Sequence, residues 1–355
     1  MRRVTRIAFV AGGTLAVVGA GTFARRRLQE LPTPVGGVFS NGMAYARLGT
    51  GPKSLLFIRS GPGNVVPTGL PMALMGALWI RPFLEDGYTT WIVTRKRDMP
   101  KGYTVPEMAE DYAGLIEDEF GGKVDLVVGE DSYGGMIGFC LAARHPDRLD
   151  HLAISLSGYR LNDEGKAVQL DFARLMSEGR RGEAGALMIG HVAPGLTRPG
   201  LDRMIGAALV RFMFPVTHPY FAKDVVTEAE AVAAFDARVV LPEIAVPVLL
   251  FGCDQDVEFP REVYEETARL IPDCTLKLFE GKNPFQAGSD KRIPLDVLDF
   301  VRDHPPVRQE RRSRKGRIAD QQVVPDESLV APGEPPLRGE EPAGPEPSLA
   351  GAGVG

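Results

Sequence analysis

The chain has 355 residues and a formal net charge of −5 with both signs spread along it, which removes the basic field that a nucleic-acid partner requires. Its length and average apolar content suit one large core of the kind α/β domains build. Three cysteines, Cys140, Cys253 and Cys274, are odd in number and lack C-x-x-C spacing, so neither a disulfide framework nor a metal site is expected, and no cofactor is called for.

Residues 7–24 form an uncharged, mostly apolar run between Arg2, Arg3, Arg6 and Arg25, Arg26, Arg27. As a helix the run spans about 27 Å, enough to cross a hydrocarbon core. Residues 1–28 therefore read as a single membrane anchor. The rival is a signal peptide cleaved after Ala20, because Val18-Gly19-Ala20 supplies small residues; the arginine triplet that follows opposes translocation and favours the anchor. Membrane association or secretion follows accordingly, and equal arginine flanks leave orientation open. A linker is expected over 29–36.

Short β-rich runs then alternate with helical patterns. Strands are expected at Ser54–Ile58, Thr90–Val93, Val124–Val128, Leu152–Leu156, Val246–Phe251 and Thr275–Phe279. Helices are expected at Val105–Phe120, Gly134–Arg144, Pro260–Ile271 and Pro294–Arg302. The alternation implies a doubly wound, mostly parallel sheet over 37–303. Between about 159 and 241 the rhythm breaks into helical segments without a strand, which reads as an inserted helical cap. Its stripe of Leu201, Met204, Ile205, Ala208, Leu209 and Phe212 would either pack the cap onto the core or line an apolar pocket. From His304 to Gly355 apolar periodicity is absent, so 304–355 is expected to be a disordered tail whose basic run, Arg308 to Arg317, is a solvated charge cluster.

The chemistry concentrates in three stretches. Ile58-Arg59-Ser60-Gly61-Pro62-Gly63-Asn64 follows the first expected strand. Val127-Val128-Gly129-Glu130-Asp131-Ser132-Tyr133-Gly134-Gly135-Met136 joins a buried strand to a helix, and Cys253-Asp254-Gln255-Asp256 closes a later strand. In this order they resemble the α/β-hydrolase fold family, in its serine esterase, lipase and proline-iminopeptidase-like branch. The resemblance covers about residues 37–303. It implies an oxyanion loop at Gly61, a nucleophile elbow of the G-x-S-x-G type, and an orienting acid after the later strand.

Each motif departs from the pattern. At the elbow two registers compete. Ser132 at the tip places Gly134 two residues later but Glu130 two earlier; Asp131 at the tip places Gly129 two earlier but Tyr133 two later. Small residues are needed where strand and helix approach around a strained tip, and Gly134 and Gly135 favour Ser132. Asp131 would suggest instead the alkyl-enzyme chemistry of epoxide hydrolases and dehalogenases. The resemblance thus assigns Ser132 as nucleophile, Asp256 as acid with Asp254 as its rival, and the N–H groups of Gly61 and Tyr133 as oxyanion donors. Arg59 and Ser60 replace the usual His-Gly of the oxyanion loop, and Arg59 either projects into the pocket or pairs with an acid at a strand end.

The base is missing. Where the family places a histidine, the stretch Glu280-Gly281-Lys282-Asn283-Pro284-Phe285 aligns Pro284. His145 and His151 read as structural, His304 lies roughly 30 Å of helical rise past Pro284, and His191 and His218 lie in the cap. Loss of the base costs a serine hydrolase on the order of 10⁶ in turnover. The function expected is serine-hydrolase-like, acting on or binding a small, apolar acyl-type molecule. The alternative is a catalytically degenerate pseudo-hydrolase that serves as a binding or scaffold protein, with lyase or isomerase chemistry a third possibility on this fold. Substrate and oligomeric state are not legible.

Overall fold

A computed structural model describes residues 34–306 apart from Pro62 and the stretches 67–74, 76–78, 193–200, 214–215 and 217. Eight strands form one sheet in the order β1-β2-β4-β3-β5-β6-β7-β8. They are β1 (Val35–Val38), β2 (Met43–Leu48), β3 (Lys53–Ile58), β4 (Tyr88–Lys96), β5 (Val124–Glu130), β6 (Leu149–Ser155), β7 (Val248–Cys253) and β8 (Cys274–Phe279). β2 pairs antiparallel with β1 and β4, and every other neighbouring pair is parallel. The expected fold class is therefore observed, with two additions. β1 and β2 are antiparallel strands that periodicity did not single out, and β1 starts inside the stretch expected to be linker.

Helices cover both faces. On one lie α1 (Arg81–Glu85) and, at the end of the fold, α10 (Arg292–Asp303), which pack Phe83, Val297 and Phe300 against Leu55, Phe57 and Phe251. On the other lie α2 (Val105–Phe120) and α3 (Asp131–Arg144), which pack Met108, Tyr112, Ile137 and Phe139 against Leu56, Val127 and Leu152. Burial on both faces explains why β3, β5, β6 and β7 read as continuous apolar runs rather than alternating ones. α2 starts cleanly because Thr104 and Glu107 form a reciprocal capping box and ends at Gly121, which is left-handed at φ 66°.

Between β6 and β7 the chain forms the cap: α4 (Asp163–Ser177), α5 (Arg181–Val192), α6 (Leu201–Met213) and α7 (Phe221–Ala234). Its own core gathers Phe172, Met176, Val210, Phe221 and Val225. α5 and α6 meet at Gly185 and Gly206, where an added Cβ would come within 2.1 Å of the facing backbone. That contact turns Met204 and Ile205 outward, 65% and 49% exposed, so these two neither line a pocket nor pack on the core as expected. The side chains of Leu201, Leu209 and Phe212 lie outside the described residues.

After β7 the chain returns through α8 (Arg261–Leu270) to β8 and then α9 (Pro284–Gly288), a short helix that the sequence did not suggest. The expected anchor, residues 1–28, and the chain beyond 306 lie outside the described residues. Among the described residues no helix is long and apolar enough to cross a membrane.

Candidate functional site at the elbow

β5 is central, bonded to β3 and β6, and its last residues open the site at the carboxyl ends of the parallel strands, where folds of this type place ligands. Glu130 is extended (φ −92°, ψ 128°), and the next residue, Asp131, takes a left-handed φ of 49° as α3 begins. That conformation is uncommon outside glycine and marks a strained turn. The tip therefore stands at Asp131, one residue before the Ser132 expected there. Ser132 is buried in the first turn of α3, and the N–H next to the tip is its own rather than that of Tyr133.

Packing sets this register. A Cβ on Gly129 would lie 2.6 Å from the Gly134 carbonyl oxygen, and a Cβ on Gly134 would lie 2.3 Å from that of Ile58 on β3. Gly129 two residues before the tip and Gly134 three after it are thus the small residues that the crossing demands. Tyr133, between them, turns its ring into the core beneath the Arg95 guanidinium. Its hydroxyl donates to Gln169 Oε1 of α4 at 3.0 Å.

The tip lies among acids. Burial, then the Glu130 charge, push the Asp131 carboxyl up to about 7, against the pull of Arg59 and a hydrogen bond with the Ser60 side chain; Asp256 adds to the rise. Glu258 is pushed up to about 8 by burial and the Asp256 charge, while the Gln169 amide donates to both of its oxygens at 2.9 and 3.1 Å.

Asp256 is buried where the orienting acid was expected, but its oxygens are engaged. Oδ1 accepts from the Glu258 and Phe259 N–H groups at 2.9 and 3.1 Å, and Oδ2 from the Tyr264 hydroxyl at 2.6 Å. Asp254 is exposed and accepts from the Gly281 N–H at 3.0 Å, clamping the loop after β8.

Pro284, at the position where the resemblance implied a histidine, starts a helix. Asn283 caps α9, its side chain accepting from the Gln286 N–H while Gln286 reaches back, and Pro284 fills the first helical position, which lacks a hydrogen-bond partner in any case. Of the described histidine side chains, three are engaged away from the elbow and one meets the oxyanion loop. His145 meets Glu110 at 2.8 Å, His151 faces the Asp125 and His304 carbonyls, and His304 bonds the Phe300 carbonyl. His218, buried in the cap, bonds the Gly63 carbonyl at 2.8 Å. The His191 side chain lies outside the described residues.

The oxyanion loop is held from beneath, a feature the sequence reading missed. Arg95 of β4 donates to the Arg59 and Gly61 carbonyls and, through Nε, to Glu228 of α7 at 3.0 Å. Glu228 also accepts from the Gly63 N–H at 2.6 Å, and the ion pair is buried, 1% and 0% exposed. One turn earlier, Asp224 accepts from the Asp98 and Met99 N–H groups. Gly61 and Gly63 are left-handed, and a Cβ at Gly63 would strike the Phe221 ring at 2.2 Å. A signal existed: two acids four residues apart, Asp224 and Glu228, share one helix face with the apolar Phe221, Val225 and Val232, and that face is buried. Arg59 pairs with Glu130, the strand-end acid that the sequence reading offered as one alternative.

No family model matches the sequence, and no curated protein does. Solved structures match well in shape. A hydrolase from Pseudomonas aeruginosa PA01 superposes with a TM-score of 0.59 at 20% identity, covering 76% of this chain and 98% of that one. The enol-lactonase from Burkholderia xenovorans LB400 gives 0.58 at 19% identity over 73% and 96%. An esterase from Exiguobacterium antarcticum gives 0.56 at 17% over 76% and 100%. At such identities the likeness concerns architecture, and with the sheet order, the elbow and the inserted cap it establishes that this chain has the α/β-hydrolase fold.

Proposed function

We propose that the chain is a degenerate member of the serine-hydrolase-like branch, a protein that binds a small acyl-type molecule between elbow and cap without turning it over as a serine hydrolase. The observation that carries this reading is the left-handed φ of Asp131, which gives the tip to a carboxylate and leaves Ser132 inside the helix. Pro284 at the start of α9 supports it, because a proline there supplies no proton acceptor. Similarity to an esterase and an enol-lactonase supports the acyl-type class of ligand. We assign Asp256 to positioning its own loop, Gly61 to the oxyanion loop, and residues 1–28 to membrane attachment.

A fluorophosphonate probe tests the reading. The wild type should remain unlabelled under conditions that label an active esterase. Rapid labelling at Ser132, abolished by Ser132→Ala, would overturn it.

The aspartate tip favours one second reading. An ionised Asp131 oxygen attacks an alkyl carbon, the carbon–halogen bond breaks, halide leaves, and an ester remains. Intact mass after incubation with a primary alkyl bromide should then rise by one alkyl group in the wild type and not in Asp131→Asn.

A further inference from the structure

Glu130 has a position unlike that of any other acid in the site. It directly precedes the tip, and its Oε2 accepts both from the Ser60 N–H at 2.9 Å and from the Arg59 guanidinium. A backbone N–H and a guanidinium converging on one carboxylate oxygen form a carboxylate receptor. The two donors belong to the loop after β3 and the acceptor to the elbow, so the contact ties the two together. Arg59 is only partly satisfied: its Nε is buried without a hydrogen-bond partner among the described residues. The Arg59 and Glu130 side chains are 12% and 22% exposed, so solvent reaches the pair.

The loop that carries the receptor is fixed independently of Glu130. Arg95 holds the Arg59 and Gly61 carbonyls, Glu228 holds the Gly63 N–H, and the Arg59 N–H bonds the Val93 carbonyl at 3.1 Å. Removing the Glu130 carboxylate would take the acceptor from the Ser60 N–H and the Arg59 guanidinium, with the Asp131 carboxyl still beside them. A half-buried guanidinium without its acid is costly, which supplies the driving force for taking up another carboxylate.

We propose that Arg59 and the Ser60 N–H form a carboxylate-binding subsite which the protein's own Glu130 fills as an internal plug, so that the molecule bound at the elbow carries a carboxylate and competes with Glu130 for these donors. This rests on the small-molecule-binding reading above and narrows it to a ligand with an apolar body and a carboxylate end. The plug sets a threshold: a neutral ester gains nothing from displacing Glu130, whereas an acid replaces one ion pair by another.

The test is chemical rescue in the full chain. Glu130→Ala should lower the melting temperature, and sodium acetate should restore it saturably, with an apparent affinity at least tenfold tighter than for the wild type. Sodium chloride at matched ionic strength should not restore it. Arg59→Gln added to Glu130→Ala should abolish the acetate effect. Asp86→Ala, which strips the acid from the exposed Lys53, is the control and should show no saturable acetate effect. If Glu130→Ala does not fold, Glu130→Gln serves, with hexanoate binding read by calorimetry. Rescue by chloride, rescue that survives Arg59→Gln, or no saturable effect in either variant would overturn the proposal. Fluorophosphonate labelling of Ser132 would instead overturn the reading on which it rests while leaving the acetate result intact.

Discussion

The elbow after β5 and the loop after β8 are the two places where a hydrolase of this fold keeps its nucleophile and its base, and in this chain they are built in different ways. At the elbow the backbone is retained: a strained left-handed tip, Gly129 before it, and a helix crossing so closely that Gly134 faces the Ile58 carbonyl. After β8, Asn283 and Pro284 start a short capped helix at the position where the resemblance implied a histidine. The elbow is a load on the fold, because β5 and α3 cannot pack without it. The loop after β8 carries no such load: its short helix rests on its own capping box.

Perturbations should follow that division, the largest where backbone or buried charge is touched. Glu228→Ala, which strands Arg95 beneath the oxyanion loop, should cost about 3–5 kcal/mol by urea denaturation, as breaking one side of a buried pair usually does. A cost below about 1 kcal/mol would show that the brace is not structural. Gly134→Ala should cost about 3 kcal/mol by overpacking against Ile58. Pro284→Ala, in the β8 loop, should change stability by less than about 1 kcal/mol, because it removes only an N-terminal preference.

The Asp131 carboxyl makes the elbow sensitive to pH. Its value in the folded chain, about 7, lies above its ordinary 3.8, so the folded state holds the proton more tightly than the unfolded chain does. This group's contribution to stability is complete below about pH 4 and is lost as pH rises toward and through 7. The full effect is at most about 4 kcal/mol. Asp131→Asn should therefore flatten the fall of stability between pH 4 and 8 and leave the variant the more stable protein at pH 8. An unchanged pH profile would contradict a raised Asp131. A smaller effect should follow in Glu130→Gln, where loss of the neighbouring charge lowers the Asp131 titration seen by carboxyl NMR.

Much of this was legible in the sequence. Runs such as Leu55 to Ile58 and Leu249 to Phe251 announced buried parallel strands, and the helical rhythm from 159 to 241 announced the cap. β1 and β2 escaped because their apolar positions are interrupted by glycine and arginine, at Gly36, Gly37 and Arg47. The elbow register escaped because downstream glycines were weighted above the upstream one. Gly134 is needed against β3, yet it stands three residues past the tip rather than two, and no spacing rule shows which backbone it meets. The Arg95–Glu228 brace joins residues 133 positions apart, and only the folded chain brings them together.

The central claim is that elbow geometry survives while its chemistry has been exchanged, and it is tested most directly by restoring that chemistry at the site the backbone indicates. In Asp131→Ser/Pro284→His the account predicts fluorophosphonate labelling on position 131, mapped by peptide mass spectrometry, at least about 100-fold faster than in either single variant, because the two groups act as one unit. Labelling on Ser132, in that variant or in the wild type, would contradict it.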